Sequence, residues 1–319
     1  MGDVVHALPA VCDLARHHRG ASIDWVVEDR FAEIPRLQRD VSRVIPIGLR
    51  RWRHQLLWLS TWKQIRNARQ ELARFRYDAI LDLQGLVKSA LVARWARGPV
   101  VGLCGRSARE RVASWLYDRR ITIDPGLHAI DRNRLLTARA FGYAVDGPVD
   151  FGIRVHAVPE ASLRPWIGEQ RFALLLTNAS RESKLWPDEN WRAVEAWLAE
   201  QGLHCVLVWG TERERIATLH RAAPMHGARV APPAGLATLA AVCARADLVI
   251  GLDTGLTHWA AAVGAPTVGI FCDFDPARVG LKADERRVNL GGVADPPSSE
   301  DVIDAARHVL SAQTARRHG

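Results

Sequence analysis

Val249-Ile250-Gly251-Leu252-Asp253-Thr254-Gly255-Leu256-Thr257-His258 is the stretch on which the fold class turns. An apolar strand ends near Gly251, the chain turns through Asp253-Thr254-Gly255, and a helix opens as Leu256-Thr257-His258-Trp259-Ala260-Ala261. A buried strand feeding directly into a helix is half of a βαβ unit, which implies parallel pairing. Gly255 removes the side chain where a ligand would approach backbone amides. The helix start then presents N–H groups and the positive end of its dipole to an anion. The ordinary alternative is that Asp253 or Thr254 caps the helix, and both can hold at once.

Working outward, the same alternation recurs along the chain. Strands are expected at Ile23–Val27, Val44–Ile47, Ala79–Leu83, Val100–Gly102, Phe172–Leu176, Cys205–Val208, Leu248–Gly251 and Thr267–Ile270. Helices are expected at Val4–His17, His54–Phe75, Leu86–Trp95, Asn190–Glu200, Glu212–Arg221, Leu236–Ala244 and Leu256–Val263. Strand–helix–strand order with near-continuous apolar strands predicts an α/β fold, parallel sheets covered by helices on both faces. The alternation pauses between Phe151 and Pro165, so two Rossmann-like domains facing a cleft are expected, 1–155 and 156–319. Ligands belong at the carboxyl ends of the strands. The last amphipathic segment, Glu300–Leu310, is expected to fold back on the first domain.

The composition agrees with a two-domain globular protein: 319 residues, 48% hydrophobic and 24% charged. No apolar run is long enough to span a bilayer, and no secretory leader is visible after Met1. Cys12, Cys104, Cys205, Cys243 and Cys272 never form a Cys-x-x-Cys pair, so reduced core thiols are expected rather than disulfides or a metal site. The net charge of +8 favours a polyanionic partner without choosing among nucleic acid, lipid headgroup and phosphorylated substrate. Twelve tryptophans are many, and most are expected to pack. Neither Gly-x-Gly-x-x-Gly nor Gly-x-x-x-x-Gly-Lys-Ser/Thr occurs, which lowers the dehydrogenase and NTPase readings.

Three further stretches carry possible chemistry. Thr177-Asn178-Ala179-Ser180-Arg181-Glu182-Ser183-Lys184-Leu185-Trp186-Pro187 joins a strand to a helix that Pro187 can start. Its hydroxyls and Lys184 suit a diphosphate, with an ordinary polar loop as the plainer reading. Asp3, in Met1-Gly2-Asp3-Val4-Val5-His6, is either a helix cap or a general base. Arg50-Arg51-Trp52-Arg53, ahead of a segment rich in Trp and Leu, grips lipid phosphates or touches a membrane, or is only the solvated edge of a core helix. Arg106, Arg109 and Arg111 share that ambiguity, and His128, His156, His204, His220 and His226 lack ligand spacing.

Taken together, these stretches resemble the ADP-heptose:lipopolysaccharide heptosyltransferases. The resemblance rests on Met1–Ala10, Asp24–Glu28, Val44–Ile47 leading into Arg50–Arg53, Asp82–Ser89, Lys184–Pro187 and Asp253–His258, in order over nearly the whole chain. It implies a GT-B fold, an inverting transfer without cofactor or metal, and a donor held mainly by the second domain. By the same resemblance Asp3 is the base and Lys184 contacts the donor phosphates with Ser180 nearby. Asp253, Thr254, Gly255, Leu256 and His258 then hold donor sugar and phosphate. An acidic residue after Trp209-Gly210 binds the ribose, with Glu212 and Glu214 both open. Arg50, Arg51, Arg53 and Arg109 serve the acceptor.

The expected reaction moves heptose from ADP-heptose to the Kdo of Kdo-lipid A. The enzyme is expected in the cytoplasm as a monomer at the inner face of the membrane, with no nucleic-acid partner. The rivals are a related heptosyltransferase or nucleotide-sugar enzyme with another acceptor, and a basic module that binds polyanions without turnover. A Rossmann-like domain also needs an apolar strand feeding the turn at Gly2-Asp3, and in the resembled family such a strand precedes this motif. The first strand is therefore apparently missing, and the functional protein is expected to begin upstream of Met1.

Overall fold

The computed structural model describes residues 1–55, 57–155, 160–168 and 170–318, with the backbone alone for 160–162 and 314–318. The chain divides into two compact units, His6–Gly152 and a second made of Met1–Val5 with Ile153–Gly319. The expected junction at 155–156 runs into residues 156–159, which lie outside the described residues. Met1–Val5, expected in the first domain, group with the second unit instead.

Helices α1 (Gly2–His17), α2 (Glu33–Arg36), α3 (Leu49–Trp52), α4 (Leu59–Leu72), α5 (Val87–Ala93) and α6 (Ala129–Phe141) precede the junction. The strands among them are β1 (Asp24–Glu28), β2 (Arg43–Ile47), β3 (Ile80–Asp82), β4 (Val100–Leu103) and β5 (Arg119–Ile121). All pair in parallel, yet they form two sheets, β1-β2 and β3-β4-β5, rather than one doubly wound sheet. The described residues ahead of β1 are taken up by α1 and the turn after it, so they supply no strand beside β1 or β3. Each of those two strands is correspondingly less buried than β4, which has neighbours on both sides. The helix expected over His54–Phe75 is confined to Leu59–Leu72, and the short α3 precedes it. Trp52 is buried, its Nε1 donates to Gln64 Oε1 at 2.9 Å, and α3 thereby folds against α4 across the intervening turn. Deeper in the unit, Arg134 on α6 donates from Nε to Asp13 Oδ2 at 2.6 Å, and both side chains are buried.

The second unit carries β6 (Phe172–Leu176), β7 (His204–Leu207), β8 (Ala228–Val230), β9 (Leu248–Leu252), β10 (Thr267–Phe271) and β11 (Arg287–Gly291). Its helices are α7 (Glu160–Ile167), α8 (Asp188–Glu200), α9 (Glu212–Ala222), α10 (Leu236–Arg245), α11 (Gly255–Val263), α12 (Pro276–Val279) and α13 (Ser299–His318). The six strands form one parallel sheet in the order β11-β10-β9-β6-β7-β8. β6, β9 and β10 are buried at every residue, which is why they read as unbroken apolar runs. Ala173, Leu175, Ile250 and Ile270 meet Trp191, Val194 and Leu198 of α8 on one face. Val302, Ala306 and Val309 place α13 in that same core, correcting the expectation that it folds back on the first domain. Alternation along the strands hands the intervening residues to the other face.

All five cysteines are free. Cys12, Cys205 and Cys243 are buried, whereas Cys104 and Cys272 are only partly covered. Among the described residues no helix is long and apolar enough to cross a membrane.

Candidate active site

The order of the second sheet reverses between β6 and β9, whose residues Leu176 and Gly251 lie side by side. At such a switch point the loops leaving the two strands diverge and open a crevice at their carboxyl ends. The loop after β6 carries Lys184, in a 3₁₀ turn over Glu182–Lys184, and the loop after β9 carries Asp253. They meet: Lys184 Nζ donates to Asp253 Oδ2 at 2.6 Å and to the Asp253 carbonyl at 3.1 Å. His258, one turn into α11, brings Nε2 to 3.3 Å from Asp253 Oδ1. Burial alone would raise the Asp253 carboxyl, but hydrogen bonds and charge from His258 and Lys184 outweigh it and hold the group below the usual carboxylate range. Asp253 is thus an anchored anion between two cationic or donor groups, and it does not cap α11. Thr254 occupies the cap position, and its side chain makes no capping bond.

Gly255 opens α11 under close cover. A Cβ on it would lie 2.5 Å from Met1 Cβ and 3.1 Å from the Gly2 nitrogen. Leu256 follows in the first turn of α11, and His258 is buried. The β6 loop is pinned on its other side. Asn178 Nδ2 donates to the Val208 carbonyl at 3.1 Å and to Thr218 Oγ1 at 2.8 Å, and Arg221 Nη1 donates to Thr177 Oγ1 at 2.9 Å. Ser180 is exposed on that loop, four positions before Lys184.

Two residues that the sequence did not single out close on the loop that carries Lys184. Its Nζ lies 4.4 Å from the centre of the Phe274 ring, a cation–π contact, and Ser183 Oγ donates to Asp273 Oδ2 at 2.9 Å. Both follow β10, the next strand beyond β9. Their position at a strand's carboxyl end was the one signal that could have marked them.

Glu212 and Glu214 part company at the start of α9. Glu214 Oε2 accepts from the Gly210 and Thr211 nitrogens at 2.8 and 2.9 Å, while Thr211 Oγ1 accepts from the Glu214 nitrogen, a reciprocal capping box. Glu212 forks onto Arg215 on the surface, with its nearest contact 2.7 Å.

Three comparisons decide the affiliation. Residues 65–302 match the model of glycosyltransferase family 9 (heptosyltransferase). The chain is 39% identical over 284 residues to lipopolysaccharide heptosyltransferase 1 of Escherichia coli K12, covering 88% of this chain and 87% of the relative. It is 38% identical over 298 residues to the Pseudomonas aeruginosa protein of the same name, covering 91% and 81%. The chain belongs to glycosyltransferase family 9. Among solved structures, E. coli heptosyltransferase WaaC with ADP superposes with a TM-score of 0.86 at 32% identity, covering 97% of each chain. The same enzyme with ADP-2-deoxy-2-fluoro heptose gives 0.80 at 32% identity, covering 100% of this chain and 97% of that one. This family 9 glycosyltransferase therefore has the GT-B fold.

The remaining sequence-marked residues of the glycosyltransferase fall in two places. Asp3 is exposed in the first turn of α1, in the same unit as α11, and a Cβ on neighbouring Gly2 would stand 3.7 Å from the His258 ring. The arginines belong to the first unit. The Arg50 nitrogen donates to Glu28 Oε1 at 3.0 Å, Arg51 bridges Gln64 at 3.0 Å and Asp29 at 3.2 Å, and Arg53 Nε donates to His54 at 3.0 Å. Arg109 is exposed on a separate loop, its backbone close to Gly85. Asp82 fixes that turn by accepting from the Gln84 nitrogen and the Ser89 and Tyr117 hydroxyls.

Proposed function

We propose that this heptosyltransferase moves L-glycero-D-manno-heptose from ADP-heptose to a Kdo sugar of Kdo-lipid A, with inversion, in building the lipopolysaccharide inner core. The observation that carries the reading is the meeting of Lys184, Asp253 and His258 where α11 begins, on a chain that superposes on an ADP-bound heptosyltransferase. Lys184 and the α11 N-terminus stabilise the charge that builds on departing ADP. Asp253, Thr254, Gly255, Leu256 and His258 hold the donor sugar and phosphate, with Ser180 beside them. The ribose contact belongs to the start of α9, where Glu214 already has a capping duty and Glu212 only an exposed ion pair. Asp3 takes the acceptor hydroxyl proton as the new bond forms. Arg50, Arg51, Arg53 and Arg109 hold the carboxylate and phosphates of the acceptor. The enzyme works as a monomer on the cytoplasmic side of the inner membrane.

Incubating the folded protein with ADP-heptose and Kdo-lipid A, and following both ADP release and the mass of the lipid, tests this. A gain of one heptose supports it. No heptosylated product overturns it, and product from a different acceptor alone points to the related-enzyme reading. Arg51→Ala is expected to raise the acceptor KM by about tenfold, the loss of one charge-assisted contact. Its ADP affinity is expected to stay at the wild-type level. Steady-state kinetics in which ADP affinity falls and acceptor KM does not would reverse the assignment.

A further inference from the structure

Three of the twelve tryptophans, Trp58, Trp62 and Trp115, stand exposed. Two of them sit at the turn between α3 and α4, where Leu57 is 99% exposed, Leu59 88%, Trp58 65% and Trp62 56%. Backbone bonds from Trp58 to Gln55 and from Thr61 to Trp58 wind this turn, and the buried Trp52–Gln64 contact ties its base to α4. Water contact on that much aliphatic and indole surface is unfavourable. Around it the charge is one-sided. Between Leu49 and Phe75 there are seven Lys and Arg residues and a single acidic residue, Glu71, which is paired with Arg43.

The neighbouring elements repeat the pattern. α5 packs against α4 through Val92, with Trp95 just beyond its end in the same cluster, and against the 3₁₀ turn Arg111–Leu116 through Ala90. Leu91 on α5, and Val112 and Trp115 on that turn, are exposed beside Lys88, Arg94 and Arg111.

We infer that the α3–α4 turn is a membrane-docking tip that sinks Leu57, Trp58, Leu59 and Trp62 into the interface of an anionic bilayer while its arginines and lysines hold the headgroups. Indole rings favour the interfacial zone, and basic residues near it gain from the negative surface potential. The same charge argues against a second copy as occupant, because a two-fold contact would set this basic patch against itself. Two almost fully exposed leucines have no role against nucleic-acid bases and fit acyl chains. The inference deepens the acceptor reading above and rests on it for its purpose. Docking would bring the acceptor arginines to the headgroup level where a lipid-linked sugar lies.

Vesicle co-sedimentation tests it with the full chain and no sugar donor, so failure here leaves the transfer reading standing. The wild type is expected to bind vesicles of phosphatidylglycerol and phosphatidylethanolamine, weakly or not at all those of phosphatidylcholine, and less as salt rises. Trp58→Ser with Leu59→Ser, and separately Leu57→Ser with Trp62→Ser, are expected to lower that binding at least about tenfold with unchanged melting temperature. Brominated lipids are expected to quench tryptophan emission in the wild type, a readout that needs no variant. Equal vesicle binding by the variants overturns the inference. So does the absence of wild-type binding or quenching, tighter binding to an RNA oligonucleotide than to anionic vesicles, or a dimer that the variants dissolve without changing vesicle binding.

Discussion

Asp3→Asn is expected to lower turnover by about 10²–10⁴-fold, the usual contribution of a general base, while ADP affinity stays at the wild-type level. Asp3 lies in the first turn of α1, exposed, with Gly2 against the His258 ring and the Gly255 turn. A carboxylate there can take a proton from an acceptor hydroxyl but has no direct share in holding the nucleotide. Asparagine keeps the size and the capping ability of the residue, so the helix start survives the change. The dipole interaction of the charge that is lost amounts to roughly 0.3–1 kcal/mol. Single-turnover transfer and calorimetry with ADP separate the two readings. Retained turnover, or ADP binding lost together with turnover, would mark Asp3 as a structural cap.

Lys184→Met is expected to act on both donor binding and stability. Removing a charge-assisted contact of about 1.5–3 kcal/mol lowers ADP affinity by roughly 10- to 150-fold. The same change strips Asp253 of its 2.6 Å partner and leaves a buried carboxylate held by His258 alone, a cost of about 1–3 kcal/mol. The pH dependence follows from the direction of the Asp253 shift. Because the native carboxyl titrates below its ordinary value, its stabilisation is complete above the unfolded pKa and is lost as pH falls through the lower native one. Lys184 is one cause of that lowering. The stability gap between wild type and variant is therefore expected to be widest near neutrality and to close on acidification. Melting curves over a pH series, with calorimetric ADP titration at neutral pH, check both parts. An unchanged ADP affinity would remove Lys184 from the donor site.

Much of the second unit was legible in the sequence. Phe172–Leu176 is a strand with the bounds its apolar run predicts, and Leu248–Leu252 extends the expected strand by one residue. Strands buried on both faces write their own limits as continuous hydrophobicity. The strand-to-helix loops holding Lys184 and Asp253 were recognisable for the same reason. What the sequence did not mark were elements whose residues satisfy two demands at once. β5 and β8 are short, and they and β11 are partly exposed and arginine-bearing, so no apolar run announces them. α6 hides a buried arginine that is explained by its Asp13 partner and by the Asp146 and Gly147 carbonyls.

Local pattern, then, determined the buried strands and the amphipathic helices between them and that these strands run parallel, because periodicity records the burial of such elements. The tertiary structure alone decided the rest. It joined Lys184 to Asp253 across 69 positions, set Phe274 beside the ammonium, divided the strands of the first unit into two sheets, and left Trp58 and Trp62 in solvent while burying Trp186 and Trp191. Which loops become neighbours depends on the order of strands in the sheet. That order is settled by contacts between elements far apart in the chain, and no local spacing encodes it.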